Sequence, residues 1–211
     1  NTRDCYMSAL SDLVYGKNNE RGPWPKFTDK YPVKVKTING KERPLLQPLN
    51  KRLERDIRDA GDHLQTRTAA KCLMTRWDMH DVYKSFEVVG NEAIKIAQAC
   101  PVATRTDTDG EKKEVPLYIK ESWGLIYQKW QEAKVHNHWP SLWSYTYCVY
   151  ACEFCSPLVF PTSEHKLKVM PKPFQLIVFP AWIMHEVPRH DCDHERIMVA
   201  GNLNIDMNND L

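Results

Sequence analysis

The stretch VHNHWP at residues 135–140 contains two histidines, His136 and His138, that are separated by a single residue. On an extended strand such a pair points to one side, because side chains alternate with a period of two. A third histidine, His185, closes the apolar run of FPAWIMHEVP at residues 179–188. Two neighbouring imidazoles and a third from a later strand can together coordinate one side of a small metal ion. The spacing therefore predicts a metal site formed by these three histidines.

A basic residue follows the third histidine on the next predicted strand. It is Arg196, within HERIMVAGN at residues 194–202. A guanidinium held on a strand beside a metal site suits an acidic co-substrate, because its fork of N–H groups matches a carboxylate.

The chain around these residues has the pattern of an antiparallel sheet. After Cys100, short runs rich in aromatic and β-branched residues are separated by Asp-Gly, Pro and Ser clusters. These runs are VPLYIKESWGLIYQKW, SLWSYTYCVYA, PLVF, FQLIVFPAWIMHEV and RIMVAGNLNI. The pattern predicts a sandwich or barrel of the jelly-roll kind over residues 101–211. Both halves of the histidine constellation fall within it.

The beginning of the chain predicts little regular structure. Residues 1–50 are interrupted by glycine and proline, with one short strand expected at 33–37. A helix is predicted over about 51–60, with Asn50 as its N-cap.

A longer amphipathic helix is predicted over residues 79–100, with Asp78 at its start. The segment 66–78 is ambiguous between strand and helix. We therefore expect an α+β chain that forms one domain over 1–211. Residues 1–100 would form a mostly helical and irregular layer against the jelly roll.

Composition narrows the class of function. A hydrophobic content of 42% and a charged content of 27% are typical of a soluble globular protein. The net charge is only +2 and the basic residues are scattered, so we expect no nucleic-acid partner. No apolar run approaches bilayer length and no signal pattern opens the chain, so we expect no membrane partner and a cytoplasmic location.

The cysteines allow two interpretations. Cys152 and Cys155 form a Cys-x-x-Cys, and His190, Cys192 and His194 lie downstream, which are ligand types of structural zinc sites. Such a site usually needs a second ligand pair of matched spacing, and HDCDH is unusually compact for one. Seven cysteines without a regular framework favour a reducing compartment. Free thiols in a loop are therefore expected.

Several segments resemble a known family. ESWGLIYQKW, HNHWPSLWSYTYCVY, LIVFPAWIMHEVP and ERIMVAGNLNI are similar to 2-oxoglutarate/Fe(II)-dependent oxygenases of the prolyl-4-hydroxylase-like superfamily. The likeness is to the His-x-His group of marine bacteria and cyanophages, and its specificity comes from the order of the motifs. It covers about 120–206 and extends weakly upstream through LMTRWDMHD. It implies a double-stranded β-helix (jelly roll) with N-terminal supporting helices.

The resemblance also implies the roles of the histidines. His136 and His185 would be catalytic iron ligands, and His138 would take the position where most of the superfamily has Asp or Glu. The usual facial triad contains a carboxylate. Three neutral imidazoles would leave the Fe(II) centre with one more positive charge, which should change 2-oxoglutarate binding and iron oxidation.

The co-substrate residues follow from the same resemblance. Arg196 would pair with the distal carboxylate of 2-oxoglutarate. Ser144, Tyr147 and Asn202 match positions on strands that line the co-substrate pocket, and Tyr127 is an additional donor. For these last four residues, packing or strand hydrogen bonding is the alternative role.

The implied activity is that of a dioxygenase that uses Fe(II), 2-oxoglutarate and O2 to hydroxylate an unidentified substrate. A prolyl residue of a peptide or protein is one option; other protein side chains, small metabolites and modified nucleobases are others. The location would be the host cytoplasm if a phage encodes the protein. The proline-rich N-terminal arm would cover the active site or contact a partner or second subunit. A non-enzymatic metal-binding or virion-associated jelly-roll module is the alternative function.

Overall fold

Short and long β-strands form most of the regular structure. The computed structural model describes residues 34–36, 43–61, 63–64, 68–100, 104–106, 110, 112–114, 116–162 and 166–206. Within these ranges the helices are α1 (Arg43–Asp59), α2 (Met79–Val82) and α3 (Lys84–Gln98). The strands are β1 (Lys34–Lys36), β2 (His63–Leu64), β3 (Ala70–Lys71), β4 (Leu73–Met74), β5 (Thr104–Thr106), β6 (Lys112–Glu114), β7 (Leu117–Tyr127), β8 (Glu132–His136), β9 (Trp143–Tyr150), β10 (Leu158–Phe160), β11 (Leu167–Val169), β12 (Leu176–Pro180), β13 (His185–Val187) and β14 (Arg196–Ile205).

The strands form two antiparallel sheets. The larger sheet has the order β1-β12-β9-β14-β7-β4-β2, and the smaller has the order β11-β10-β13-β8-β3. β5 and β6 pair separately with each other. The ladder between β7 and β14 runs from Leu117 opposite Ile205 to Tyr127 opposite Arg196. These two long strands therefore form the centre of the larger sheet.

The larger sheet separates two hydrophobic cores, which follow from the alternation of side chains along its strands. On β9, Tyr145 and Tyr147 belong to the core beneath the helices. Phe179 and Met198, on neighbouring strands, belong to the core between the sheets. The helix α3 buries an apolar face against the first core with Phe86, Val89, Ala93 and Ala97. The helices therefore cover one face of the sheet and leave the other to the space between the sheets.

The first described helix begins earlier than the sequence predicts. α1 starts at Arg43 and contains Pro48, so Asn50 lies inside the helix rather than at its N-cap. Residues 1–50 were predicted to be irregular, whereas residues 43–50 begin this helix, and packing against β9 outweighs the low helix propensity of Pro48. The Asn50 amide donates to the Val149 carbonyl at 2.6 Å and accepts from the Tyr147 hydroxyl at 2.6 Å. Asn50 therefore joins α1 to β9.

The helix predicted over 79–100 is divided in two. Tyr83 has an extended backbone (φ −121°, ψ 116°) and separates α2 from α3. Asp78 occupies the predicted N-cap position but makes no capping hydrogen bond, because its carboxylate pairs with Arg76.

The N-terminal half also contributes strands. The strand predicted at 33–37 is present as β1, which pairs with β12. The ambiguous segment 66–78 contains β3 and β4, which extend the smaller and the larger sheet respectively. The remainder of the irregular arm, 1–33 and 37–42, lies outside the described residues. Among the helices that are described, none is long and apolar enough to cross a membrane.

Gly201 on β14 should not tolerate a side chain. An added Cβ would lie 2.4 Å from the Tyr145 ring and 2.6 Å from the Glu121 carbonyl oxygen. Because this backbone has little room to move, we expect Gly201→Ala to lower the free energy of unfolding by about 1–3 kcal/mol in urea denaturation. Gly90→Ala is the control, because its Cβ would meet side-chain atoms, Ile119 Cδ1 at 2.2 Å and Cγ1 at 2.7 Å, and no backbone atom, and because alanine favours the helix. Equal losses in both variants would contradict this account.

Candidate metal centre and adjoining cavity

The three predicted histidines come together at the ends of two interior strands of the smaller sheet. His136 ends β8 and lies directly opposite His185 on β13. Their ring centroids are 4.3 Å apart, and the ring of His138 is 5.0 Å from each of them. Their potential ligand atoms all lie within 4.8 Å of one another. The strand register therefore joins residues that are distant in the chain.

Backbone carbonyls orient two of the rings. His136 Nδ1 is 2.6 Å from the Lys134 oxygen, and His185 Nδ1 is 2.9 Å from the Ile183 oxygen. A carbonyl oxygen only accepts hydrogen bonds, so each Nδ1 carries the hydrogen and each Nε2 keeps its lone pair. This is the arrangement by which proteins commonly present histidine Nε2 to a metal.

The spacing of the rings fits one shared ion. His138 Nε2 is 3.2 Å from His185 Nε2. Two nitrogens bound to a first-row metal ion at about 2.1 Å would be separated by about 3.0–3.4 Å. Within the described ranges no Asp or Glu joins the three imidazoles at this distance. The donor set offered here is therefore three imidazoles, a set that iron and other late first-row metals accept.

Burial keeps these imidazoles uncharged. It lowers the pKa of His138 to about 3, with a further contribution from nearby His136. Burial also lowers the pKa of His185 well below its ordinary value, and that of His136 in the same direction. Neutral imidazole is the form that binds metal, so the cluster is ready to bind at neutral pH.

A cavity of about 310 Å³ adjoins the histidines between the two sheets. The Phe179 ring lies 4.9 Å from that of His185, and the Trp123 ring lies 5.7 Å from that of His138. Thr68 and Met74, from the segment that sequence reasoning left ambiguous, also line the cavity. The sequence indicated a role for that segment only through the weak resemblance of LMTRWDMHD to the 2-oxoglutarate/Fe(II)-dependent oxygenases. Largely apolar walls of this kind exclude water from a reacting group.

Arg196 lines the same cavity and is only 3% exposed. Its guanidinium carbon lies 4.9 Å from the centroid of the Tyr127 ring. Its Nε is buried and has no hydrogen-bond partner among the described residues. Among the ion pairs of the described part of the chain, none includes Arg196. An unpaired buried cation is unfavourable by several kcal/mol, so the site is suited to an anion.

The groups beside Arg196 do not supply that anion. The hydroxyl of Tyr127 lies in the buried surroundings of Cys72 and Arg196, and burial raises its pKa well above the ordinary value. Burial likewise raises the pKa of Cys72 and of Cys148 to about 12. All three groups are therefore neutral at pH 7. The positive charge of Arg196 remains available to a ligand.

Two of the other predicted co-substrate residues lie on the face of the sheet that lines the cavity. Ser144 donates to the Asn202 side-chain oxygen at 2.8 Å, and the Asn202 amide donates to the Glu121 carboxylate at 2.8 Å. Tyr147 is not brought to the cavity: it faces the helices and donates to Asn50. The reason is the period of two, since residues three apart on a strand point to opposite faces.

The comparison with known proteins gives a likeness of fold. No protein-family model matches the chain, and no curated protein matches its sequence. A Pseudomonas putida prolyl-4-hydroxylase matches with a TM-score of 0.59 and 13% identity, over 85% of this chain and 95% of that chain. A viral collagen prolyl hydroxylase from Paramecium Bursaria Chlorella virus-1, solved with 2-oxoglutarate, gives 0.54 and 13%, over 83% and 97%.

A third solved structure, a 2-oxoglutarate–Fe(II) family oxidoreductase from Burkholderia pseudomallei, matches with a TM-score of 0.58 and 11% identity. That alignment covers 87% of this chain and 91% of the other. Identities this low show the fold and leave the activity to be argued from the site. The chain has the fold of the 2-oxoglutarate–Fe(II) oxygenases, a sandwich of two antiparallel sheets with helices packed on the larger one.

Proposed function

We propose that this protein is an Fe(II)- and 2-oxoglutarate-dependent dioxygenase that hydroxylates a substrate bound at the cavity between the sheets. The observation that carries the proposal is the meeting of two features at this cavity. Three neutral imidazoles converge on one side, and the buried guanidinium of Arg196 lies in the wall without an ion-pair partner among the residues that the structure describes.

The strand order supports the finer assignment of a double-stranded β-helix. The chain passes from the larger to the smaller sheet and back through β7, β8, β9 and β10, and it passes between them again through β11, β12, β13 and β14. The histidines belong to or follow strands of the smaller sheet, whereas Arg196 belongs to the larger one. This crossing brings a metal-binding group and an anion-binding group to the same interior.

Each side chain has a separate task in this proposal. His136, His138 and His185 would hold Fe(II), because the mutual approach of their ligand atoms within 4.8 Å and their neutral state fit it. When bound, the iron would couple O2 reduction and 2-oxoglutarate decarboxylation to succinate with oxygenation of a substrate C–H bond. Arg196 would bind the distal carboxylate of 2-oxoglutarate, with the Tyr127 hydroxyl beside it.

The hydrogen-bond chain from Ser144 through Asn202 to Glu121 links β9, β14 and β7. It would hold the floor of the cavity rigid while the co-substrate is bound, which favours a single reacting geometry. The apolar rings around the histidines would exclude bulk water.

A peptidyl proline is the substrate class that we propose to test first. Two of the solved structures compared above are named prolyl hydroxylases, at 13% identity. Proline-containing peptides, free metabolites and modified nucleobases can be compared as substrates by product mass. Only a productive substrate is expected to gain one oxygen atom in proportion to succinate.

The direct test is an anaerobic titration with Fe(II) and 2-oxoglutarate. The chelate is expected to show its weak visible charge-transfer band, and admission of O2 should release succinate. Binding of iron without the band or succinate would instead favour the metal-binding or virion-associated jelly-roll module.

His138→Asp should keep iron but weaken binding of 2-oxoglutarate. A carboxylate removes one unit of positive charge from the centre, so we expect the Kd for the dianion to rise about tenfold, or ~1.4 kcal/mol. The charge-transfer titration measures this Kd. His138→Ala is the matched variant, and it should weaken iron itself. If His138→Ala retained both ligands with unchanged affinity, His138 would not be a ligand.

A further inference from the structure

A second cluster of metal-binding side chains lies away from the three histidines, where the β9–β10 and β13–β14 loops meet. Cys152 and Cys155 belong to the first loop, and Cys192 belongs to the second. Cys152 Sγ is 3.6 Å from Cys155 Sγ and 3.3 Å from Cys192 Sγ. All three sulfurs lie within 4.8 Å of one another. The three cysteines are free thiols in the structure, but they converge instead of lying apart.

His194 lies beside Cys192 at the rim of this cluster, outside the group of three sulfurs that approach one another within 4.8 Å. Its Nδ1 lies 3.4 Å from Cys192 Sγ, and its backbone N–H donates to the same sulfur at 3.4 Å. The backbone N–H of Cys152 donates to Cys155 Sγ at 3.3 Å. Backbone donors of this kind stabilise thiolate ligands. Because the His194 side chain is exposed, its ring can turn toward an ion without disturbing the core.

We propose that Cys152, Cys155, Cys192 and His194 bind one zinc ion in a structural site. Tetrahedral zinc with Zn–S bonds of about 2.3 Å places its sulfurs about 3.8 Å apart and its sulfur and nitrogen ligands about 3.6 Å apart. The observed contacts of 3.3–3.6 Å are shorter than these values by about 0.2 to 0.5 Å. Four protein ligands would leave no position for a substrate, so the ion would be structural. This inference is independent of the proposed oxygenase function.

The compact HDCDH segment divides its histidines between two roles. His190 is fully buried, and both of its ring nitrogens are engaged. Its Nδ1 accepts from the Ser156 backbone N–H at 3.4 Å, and its Nε2 lies 2.7 Å from the His194 carbonyl oxygen. His190 therefore supports the loop from within. Cys192 and His194 are then left to bind the ion. They form the second ligand pair of the zinc site, although their spacing differs from that of Cys152 and Cys155.

The position of the site gives the ion a structural consequence. It would join the turn after β9 to the loop that leads into β14, whose first residue is Arg196. Arg196 follows His194 by two positions. An ion held by both loops would restrict the start of β14 and with it the guanidinium in the cavity wall.

Cobalt(II) substitution distinguishes this site from the histidine cluster. Thiolate ligands give cobalt an intense charge-transfer absorption, which an all-imidazole centre lacks. We expect the full-length protein to show this absorption and to contain one tightly bound zinc per chain. His185→Ala and the control Cys100→Ala should retain both. Cys192→Ser should abolish the absorption, and His194→Ala should weaken zinc binding at least tenfold in competition with a chelator.

Two results would overturn the proposal. One is a folded, reduced parent protein that binds cobalt without the thiolate absorption. The other is a disulfide bond between Cys152 and Cys192, seen in the intact mass as the loss of two hydrogens and located by peptide mapping. Both use the parent protein, so they decide the matter even if a variant fails to fold. Zinc retained in Cys192→Ser at parental affinity would equally exclude this ligand set.

Discussion

His185→Ala is expected to lose bound iron and 2-oxoglutarate-dependent succinate formation together. His185 is buried, lies opposite His136 and places its Nε2 3.2 Å from that of His138. Removal of this imidazole leaves two ligands from a single short segment. Since loss of a residue that only supports a ligand typically weakens metal binding 10–100-fold, loss of the ligand itself should weaken it by at least about a hundredfold.

The measurement is iron per chain after anaerobic reconstitution and desalting, with succinate determined by mass spectrometry. His80→Ala is the matched control, because His80 lies on α2 outside the cluster. His136→Ala guards against a folding defect at the more buried position, since His136 is only partly buried. Stoichiometric iron in a folded His185→Ala protein would contradict the metal centre.

Arg196→Met is expected to raise the 2-oxoglutarate requirement about a hundredfold. A buried charge-assisted contact to a carboxylate contributes a few kcal/mol, and methionine removes it while retaining apolar contact with the Tyr127 ring. The same substitution should leave the ligand-free protein at least as stable as the parent. Arg196 is a buried cation outside any ion pair of the described residues, and apolar replacement of such groups is often neutral or stabilising.

Two measurements separate these effects: the dependence of succinate formation on 2-oxoglutarate, and the thermal shift that 2-oxoglutarate induces. Arg196→Met should lose the shift, whereas Arg189→Met should keep it. Arg189 is an exposed arginine that stacks 4.2 Å from the Trp130 ring, outside the cavity. An unchanged 2-oxoglutarate requirement in Arg196→Met would remove this residue from co-substrate binding.

Much of the histidine cluster was predictable because its first two members are local. His136 ends β8 and His138 follows it by two residues outside the strand, so the two are close because they are neighbours in the chain and not because they share a strand. The third member was recognisable as a histidine at the end of an apolar run. That it lies opposite His136 depends on the pairing of β8 with β13. Such a register depends on packing over the whole sheet, which residue spacing alone does not specify.

The helix boundaries predicted for residues 1–100 were wrong for one common reason, which is tertiary packing. α1 extends through Pro48, and its Asn50 contacts β9 instead of capping the helix. Tyr83 interrupts a continuous helical periodicity. Local propensities are worth less than the burial of an apolar face against the sheet, so packing changed the predicted boundaries.

The sequence by itself determined the sheet-rich second half and the paired histidines, and it singled out Arg196 as a candidate anion-binding residue. These depend on residue type and on alternation along one strand. Only the tertiary structure decided that Tyr147 faces the helices, that Arg196 is buried beside neutral groups, and that Cys192 meets Cys152 and Cys155. Each of these depends on contacts between segments far apart in the chain, which form only when the sheets pack and loops meet.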